Sequence, residues 1–156
     1  PLAIIRAGKI DAKQLMKAVS VDELVDWFLW NKEQAYRICD GETRATGMLT
    51  QQITANDLSD VGVRQDKDFG KALGTSSKLS TKYYPALQST VVLLNLPLVA
   101  KLLFAFFRPL LPEAVLKKIK VCPGNTASGD IATCPFAMAR LAVEQLPGFL
   151  AGKADK

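Results

Sequence analysis

The sequence predicts an α/β domain: a mostly parallel β-sheet floor covered by helices. Two observations carry this. Short apolar runs that suit buried strands (Leu2-Ala3-Ile4-Ile5, Thr90-Val91-Val92-Leu93-Leu94, Ile119-Lys120-Val121) alternate with stretches of helical periodicity, as parallel strands joined by crossover helices require. The 156 residues are 49% hydrophobic and 22% charged, a balance that suits one domain with a real core.

Taken in order, Leu2 to Ile5 reads as a strand ended by Gly8. Asp11 offers an N-cap to a short helix with Leu15, Met16 and Val19 on one face. Ser20-Val21-Asp22-Glu23 matches a capping box. Behind it Leu24, Val25, Phe28 and Leu29 recur at helical spacing, so a helix is expected to about Asp40, with Trp27, Phe28 and Trp30 in the core. Met48 to Thr54 is expected as a strand of unusual polar content, closed by a turn at Asn56-Asp57, with Gly62 in the loop beyond.

Residues 66 to 82 form a polar helix with Phe69, Leu73 and Leu79 as its sparse apolar contacts, stopped by Pro85. Thr90 to Leu94 is the clearest strand, continuous and β-branched. Pro97 then starts a helix from Leu98 to about Phe107, broken by Pro109. Pro112 suits the N1 position of a short helix through Lys118, and Ile119 to Val121 follows as a strand. A Gly/Ser/Thr/Asn loop from Cys122 to Cys134 and a helix from Pro135 to Glu144 complete the pattern.

Composition excludes several chemistries. The chain has no histidine, which removes Ser-His-Asp and Cys-His nucleophile pairs and every His-ligated zinc site. Cys39, Cys122 and Cys134 are odd in number and lack CxxC spacing, so neither a disulfide framework nor a metal site is expected. Cys122 and Cys134 could bridge a loop, but reduced thiols in a cytosolic protein are the expectation. The net charge of +5 comes from twenty basic residues spread along the chain. Nucleic-acid recognition asks for basic residues clustered with aromatics, so no nucleic-acid partner is expected and a weak attraction to anionic membranes ranks above it. Pro1 is not an initiator methionine, and the expectation is that other sequence precedes it.

The segment from Val91 to Phe107 is interrupted only by Asn95, Pro97 and Lys101. A spanning helix needs about 20 predominantly apolar residues, and the strand-like start with these interruptions argues against one. From Leu98 to Arg108 the only polar residues are Lys101 and Arg108, which share one stripe; Leu98, Leu102, Leu103, Phe106 and Phe107 are among those filling the other directions. Such a helix is either a central core helix or a lid over an apolar cavity that meets bilayer when open. Composition leaves both readings open.

The same region resembles the CRAL-TRIO family. The residues that carry the likeness are Tyr83-Tyr84-Pro85-Ala86, Asn95-Leu96-Pro97, Arg108-Pro109-Leu110-Leu111 and Lys118-Ile119, in family order. Trp30-Asn31-Lys32-Glu33 looks like the family's W-x-x-E helix and Asp57-Leu58 like its strand-ending D-L dipeptide. Leu146-Pro147 with Ala151-Gly152 is similar to the closing LP-x-x-x-GG, with Ala151 in place of the first glycine. The likeness spans residues 1–153 as one lipid-binding domain, leaving 154–156 as a tail.

The resemblance implies an apolar lipid pocket with the sheet as floor and a gating helix as lid. On that reading Leu94, Leu98, Leu102, Leu103, Phe106, Phe107 and Ile119 line pocket and gate, while Thr54 and Lys118 lie on the headgroup side. Members that bind phosphatidylinositol use a Glu after YP together with the Lys before Ile. Ala86 occupies the Glu position here, and a methyl group accepts no hydrogen bond from inositol hydroxyls, so phosphatidylinositol transfer is expected to be weak. Lys118 is expected to take a phosphate oxygen or to pair with an acid such as Glu113.

The resemblance further implies a carrier that exchanges a phospholipid or other hydrophobic molecule at membranes. It would be cytoplasmic, peripheral to the membrane and free of any metal or other cofactor, with a small helical domain N-terminal to it. The alternative is a lipid-sensing or membrane-recruitment module of a larger protein. An enzyme is not expected: Asp57, Asp60, Asp66 and Asp68 cluster in a polar, Gly-containing stretch that reads as a solvated loop.

Overall fold

The computed structural model describes residues 1–59, 61, 66–95, 108–110 and 112–122. Its four strands are β1 (Leu2–Arg6), β2 (Gln52–Asp57), β3 (Gln88–Leu94) and β4 (Ile119–Val121). They form one sheet in the order β1-β2-β3-β4, each neighbouring pair parallel. The helices are α1 (Ala12–Ala18), α2 (Val21–Thr46), α3 (Lys67–Tyr83) and α4 (Glu113–Leu116), with 3-10 turns at Ala7–Lys9 and Arg108–Leu110. The expected α/β architecture is therefore present. A sheet ordered in sequence lays its right-handed crossovers on one face, and the packing of α2 against α3 agrees with that arrangement.

Local signals act as anticipated at the helix starts. The Asp11 carboxylate accepts from Gln14 N at 3.0 Å and caps α1. Ser20 and Glu23 form the reciprocal capping box of α2: Ser20 Oγ accepts from Glu23 N at 3.2 Å, and Ser20 N donates to the Glu23 carboxylate at 2.8 Å. Asp66, which the sequence reading did not single out as a cap, also caps α3 by accepting from Asp68 N and Phe69 N. Pro112 sits one residue earlier than expected, as the N-cap of α4.

Three expectations are corrected. Helix α2 does not stop near Asp40; it runs through Gly41 to Thr46 and ends where Gly47 adopts φ 70. The pair Arg44–Asp40, four residues apart, supports the extra turns, and Gly47 supplies the left-handed C-cap that Gly41 does not. Trp27 and Trp30 are 56% and 60% exposed rather than core. The buried stripe of α2 is Leu24, Val25, Ala35 and Cys39, with Phe28 packed beside it, and the two tryptophans fall outside that stripe. Strand β2 begins at Gln52 instead of Met48, and Asn56-Asp57 belongs to the strand instead of a turn. Pairing decides this register: Ile53 to Asp57 match Leu2 to Arg6 on one side and Thr90 to Leu94 on the other.

The core has a helical part, in which Leu24 and Val25 of α2 meet Phe69 and Ala72 of α3 with Leu15 and Met16 of α1 alongside. A second cluster joins Ala35 and Cys39 of α2 to Leu87 before β3. In the sheet, Ala55 and Val92 are fully buried; burying a valine side chain stabilises by at most about 2 kcal/mol. Gly8 has a distinct role. A Cβ there would lie 1.4 Å from the backbone oxygen of Ser59, so only glycine lets the turn after β1 approach the end of β2.

The cysteines also depart from expectation. Cys39 is a buried free thiol, and burial pushes its pKa up. Cys122 is disulfide-bonded, so the expectation of reduced thiols fails there. An odd cysteine count excludes a fully paired framework, not a single bridge. Asp60, Gly62, the expected helix at 98–107, the remainder of the loop after Cys122 and the helix at 135–144 lie outside the described residues.

Candidate functional site

Side chains alternate between the faces of a strand, so the register defines which groups share a surface. Gln52, Thr54 and Asn56 lie on one face of β2. Thr54 pairs with Val91, which pairs in turn with Ile119. Thr54 and Ile119 thus belong to one row, with Val91 between them. Leu94 has the opposite parity to Val91 and Leu93 and is 2% exposed. The sheet therefore brings Thr54 and Ile119 together and leaves Leu94 on its other side.

Polar groups on the Thr54 face converge on Gln88. The register shifts between Gln52 and Ile53, so that Gln52 pairs with Gln88 while Ile53 pairs with Thr90, and an irregularity of this kind re-aims a side chain. Thr54 Oγ1 donates to Gln88 Oε1 at 3.0 Å. Gln88 Nε2 donates to the Gln52 carbonyl at 3.1 Å and to the Thr90 carbonyl. Lys118 Nζ donates to the Gln88 backbone carbonyl. Thr54 and Lys118, the two expected headgroup residues, therefore meet on the same residue. Glu113 takes Lys117 as its partner at 3.1 Å, not Lys118.

Lys32 reaches the same place from α2. Its Nζ is 3.4 Å from Gln88 Oε1 and 3.5 Å from Gln52 Oε1, and burial holds the ammonium below its usual pKa. Sequence reading passed over Lys32, because a single lysine inside a helix carries no signal until the strands opposite it are known. Gln52 and Gln88 escaped for the same reason.

Two other polar pairs bind the elements around this floor. Glu33 accepts from the Tyr84 hydroxyl at 2.6 Å and from Arg37 Nε at 3.0 Å, and these bonds, Tyr84 first, draw its carboxyl below the usual range. Asp57 accepts from Asn95 Nδ2 at 2.9 Å and from Ser59 N at 3.0 Å. Ala86 is exposed, and its carbonyl accepts from Gln51 Nε2. It borders a cleft of about 350 Å³ between the C-terminal half of α2 and the turn before β3, lined also by Tyr36, Cys39, Thr43, Tyr83 and Tyr84. Of the expected site residues that are described, none lines that cleft.

A model of the CRAL/TRIO domain matches residues 1–133. The chain belongs to the CRAL/TRIO family. Its domain supports binding of small lipophilic ligands and their transfer in general, and the family is generally one of ligand carriers rather than enzymes. Within this CRAL/TRIO chain the family motifs become contacts: the Glu of the W-x-x-E helix bonds the Tyr of the YP motif, and the Asp of the D-L dipeptide bonds the Asn of N-x-P. The closing LP motif lies beyond the matched residues and outside those described. Leu98, Leu102, Leu103, Phe106 and Phe107 likewise lie outside the described residues. Among the described residues no helix is long and apolar enough to cross a membrane.

Proposed function

We propose that this CRAL/TRIO domain takes up one phospholipid or similar hydrophobic molecule in an internal apolar pocket and exchanges it at membrane surfaces. The observation that carries this reading is the convergence of Thr54 and Lys118 on Gln88 beside the apolar row Val91–Ile119. Such a surface offers a polar end for a headgroup and an apolar floor for a chain. The driving force is burial of ligand hydrocarbon, roughly 25 cal/mol per Å². The chain joining β3 to β4 contains the apolar sequence from Leu98 to Phe107. In this proposal that sequence is the gate, exposing Leu98, Leu102, Leu103, Phe106 and Phe107 to bilayer rather than water when it opens. The domain would act as a cytoplasmic, peripheral membrane carrier, with a helical domain as a neighbour and no cofactor besides its lipid.

Native mass spectrometry with lipid extraction of the purified protein, followed by transfer between vesicles, tests this. A stoichiometric bound lipid and measurable transfer are expected. A folded protein that carries no lipid and moves none between vesicles would overturn the reading. A bound lipid without transfer would replace the carrier by a lipid-sensing module.

A further inference from the structure

Helix α2 covers the domain with one side and leaves a second apolar side open. Its buried residues Leu24, Val25, Ala35 and Cys39 pack towards α3 and the turn before β3. Trp27, Trp30 and Ile38 fall outside that stripe and are 56%, 60% and 55% exposed. With half-buried Gln34 and exposed Gly41 and Ala45 they form a row at steps of three, four, four, three and four residues. At 3.6 residues per turn the row stays within an arc of roughly 80° along the whole helix. Such spacing makes a seam for another helix, and exposed indoles on it form the kind of apolar patch that marks an interface. Charge on the adjoining flank, beside Trp30, is ordered as well. Asp22, Asp26 and Glu33 precede Arg37 and Arg44 there, and among the described residues Asp22 and Asp26 have no ion-pair partner.

We infer that this row is a homodimer seam, on which the α2 helices of two copies of the chain pack antiparallel about a twofold axis at Gln34. Size and charge both select this arrangement. The axis sets each residue opposite the one equally far beyond Gln34, so Trp27 of one copy meets Gly41 of the other, and Trp30 meets Ile38. A methyl at Gly41 would touch nothing within 4 Å in the single chain, and the smallest residue of the row thus leaves room for an indole. In an antiparallel pair, like flank meets like flank. Arg44 then lies within two residues, about 3 Å along the axis, of both Asp22 and Asp26 of the other copy. Arg37 lies equally close to the other copy's Glu33, and by symmetry every pairing occurs twice. A parallel pair would instead set Asp22, Glu23 and Asp26 against their own copies, which charge repulsion and the helix dipoles oppose. The seam faces away from Lys32 and the sheet, so the inference goes beyond the lipid-binding reading and stands independently of it.

The test is analytical ultracentrifugation of the full chain from roughly 1 to 100 µM, read together with intrinsic fluorescence. Trp27 and Trp30 are the two tryptophans of the sequence, so the emission reports this face alone. The parent should sediment at twice its 17.0 kDa at the upper concentrations, with emission moving to the blue as the dimer forms. Trp27→Glu and Ile38→Glu should each weaken association by roughly a hundredfold; both sites are exposed, and circular dichroism melting checks that the variants fold. Arg44→Glu should weaken it by roughly tenfold, and adding Asp26→Arg should restore it. Gln34→Cys sets one thiol from each copy at the axis, and mild oxidation should cross-link that variant far faster than the parent. A parent that stays monomeric throughout, or a dimer that both glutamate variants leave intact, would overturn the seam. A dimer indifferent to Arg44→Glu would overturn the antiparallel pairing. If the emission shifts to the blue on anionic phosphatidylserine vesicles while the protein in solution stays monomeric, the face is a membrane contact and the second copy is the wrong occupant.

Discussion

Asp57 and Asn95, thirty-eight residues apart, are joined by a 2.9 Å hydrogen bond from the asparagine amide to the carboxylate. The bond links the end of β2 to the residue that follows β3. Leu58 N also donates to Leu94 O at 3.0 Å, so backbone and side chains fasten the two central strands at the same end. In sequence, Asn95 is followed by the segment proposed as the gate.

The junction should show in acid. Burial raises the Asp57 pKa, but the Asn95 amide, the Ser59 bonds and the charge of Arg6 outweigh it, and the carboxyl titrates below its usual value of 3.8. A depressed folded pKa contributes stability above the unfolded pKa and loses it as pH falls through the folded one. Urea midpoints between pH 5 and pH 2 should therefore fall less steeply for Asp57→Asn than for the parent. An identical acid limb in both proteins would remove Asp57 from the account.

Asn95 also has φ 50, the left-handed region. Asparagine tolerates this conformation, whereas in alanine it costs about 1 kcal/mol. Asn95→Ala and Asn95→Gly both lose the bond to Asp57, but only alanine adds the backbone strain. Chemical denaturation should rank the parent first and glycine above alanine. Alanine equal to glycine would mean the backbone relaxes out of the left-handed region.

Two glycines should respond to alanine with opposite signs. Gly8→Ala drives a methyl into the Ser59 backbone, and overpacking of that kind costs about 1–3 kcal/mol or more. Gly41 lies inside α2, and a methyl added there would meet nothing within 4 Å, so Gly41→Ala should stabilise by about 0.5–1 kcal/mol. Thermal melting of the two variants side by side reads both effects at once.

Ala86→Glu tests the expectation that a carboxylate at this position would serve an inositol headgroup. Residue 86 is exposed, so a glutamate fits there without repacking. Vesicle assays should show phosphatidylinositol transfer rising by roughly tenfold over the parent. Parent transfer already as fast as the variant's would refute the argument from the lost carboxylate.

Much of the fold was legible in the residues because the signals are local. Asp11 and Ser20-Glu23 announce helix starts, since a cap needs only the first turn beside it. Thr90 to Leu94 declares a buried strand through its own side chains. The reading failed where a partner decides. Met48-Leu49 suits a strand as well as Ala55 to Asp57 does, until β1 and β3 select the register. Trp27 and Trp30 match core spacing until α3 fixes which side of α2 is covered.

The candidate site divides in the same way. By itself the sequence determined the alternation of strands and helices, the absence of histidine chemistry and the family motifs, from which Thr54 and Lys118 were expected as a headgroup pair. Only the tertiary structure decided that this pair meets on Gln88, that Leu94 lies on the other side of the sheet, and that Lys32 reaches Gln52 and Gln88 from α2. The physical reason is range. Caps and apolar periodicity act within a few residues, whereas the fate of a lysine depends on which distant strand lies beneath it and on whether an acid stands within reach of its charge.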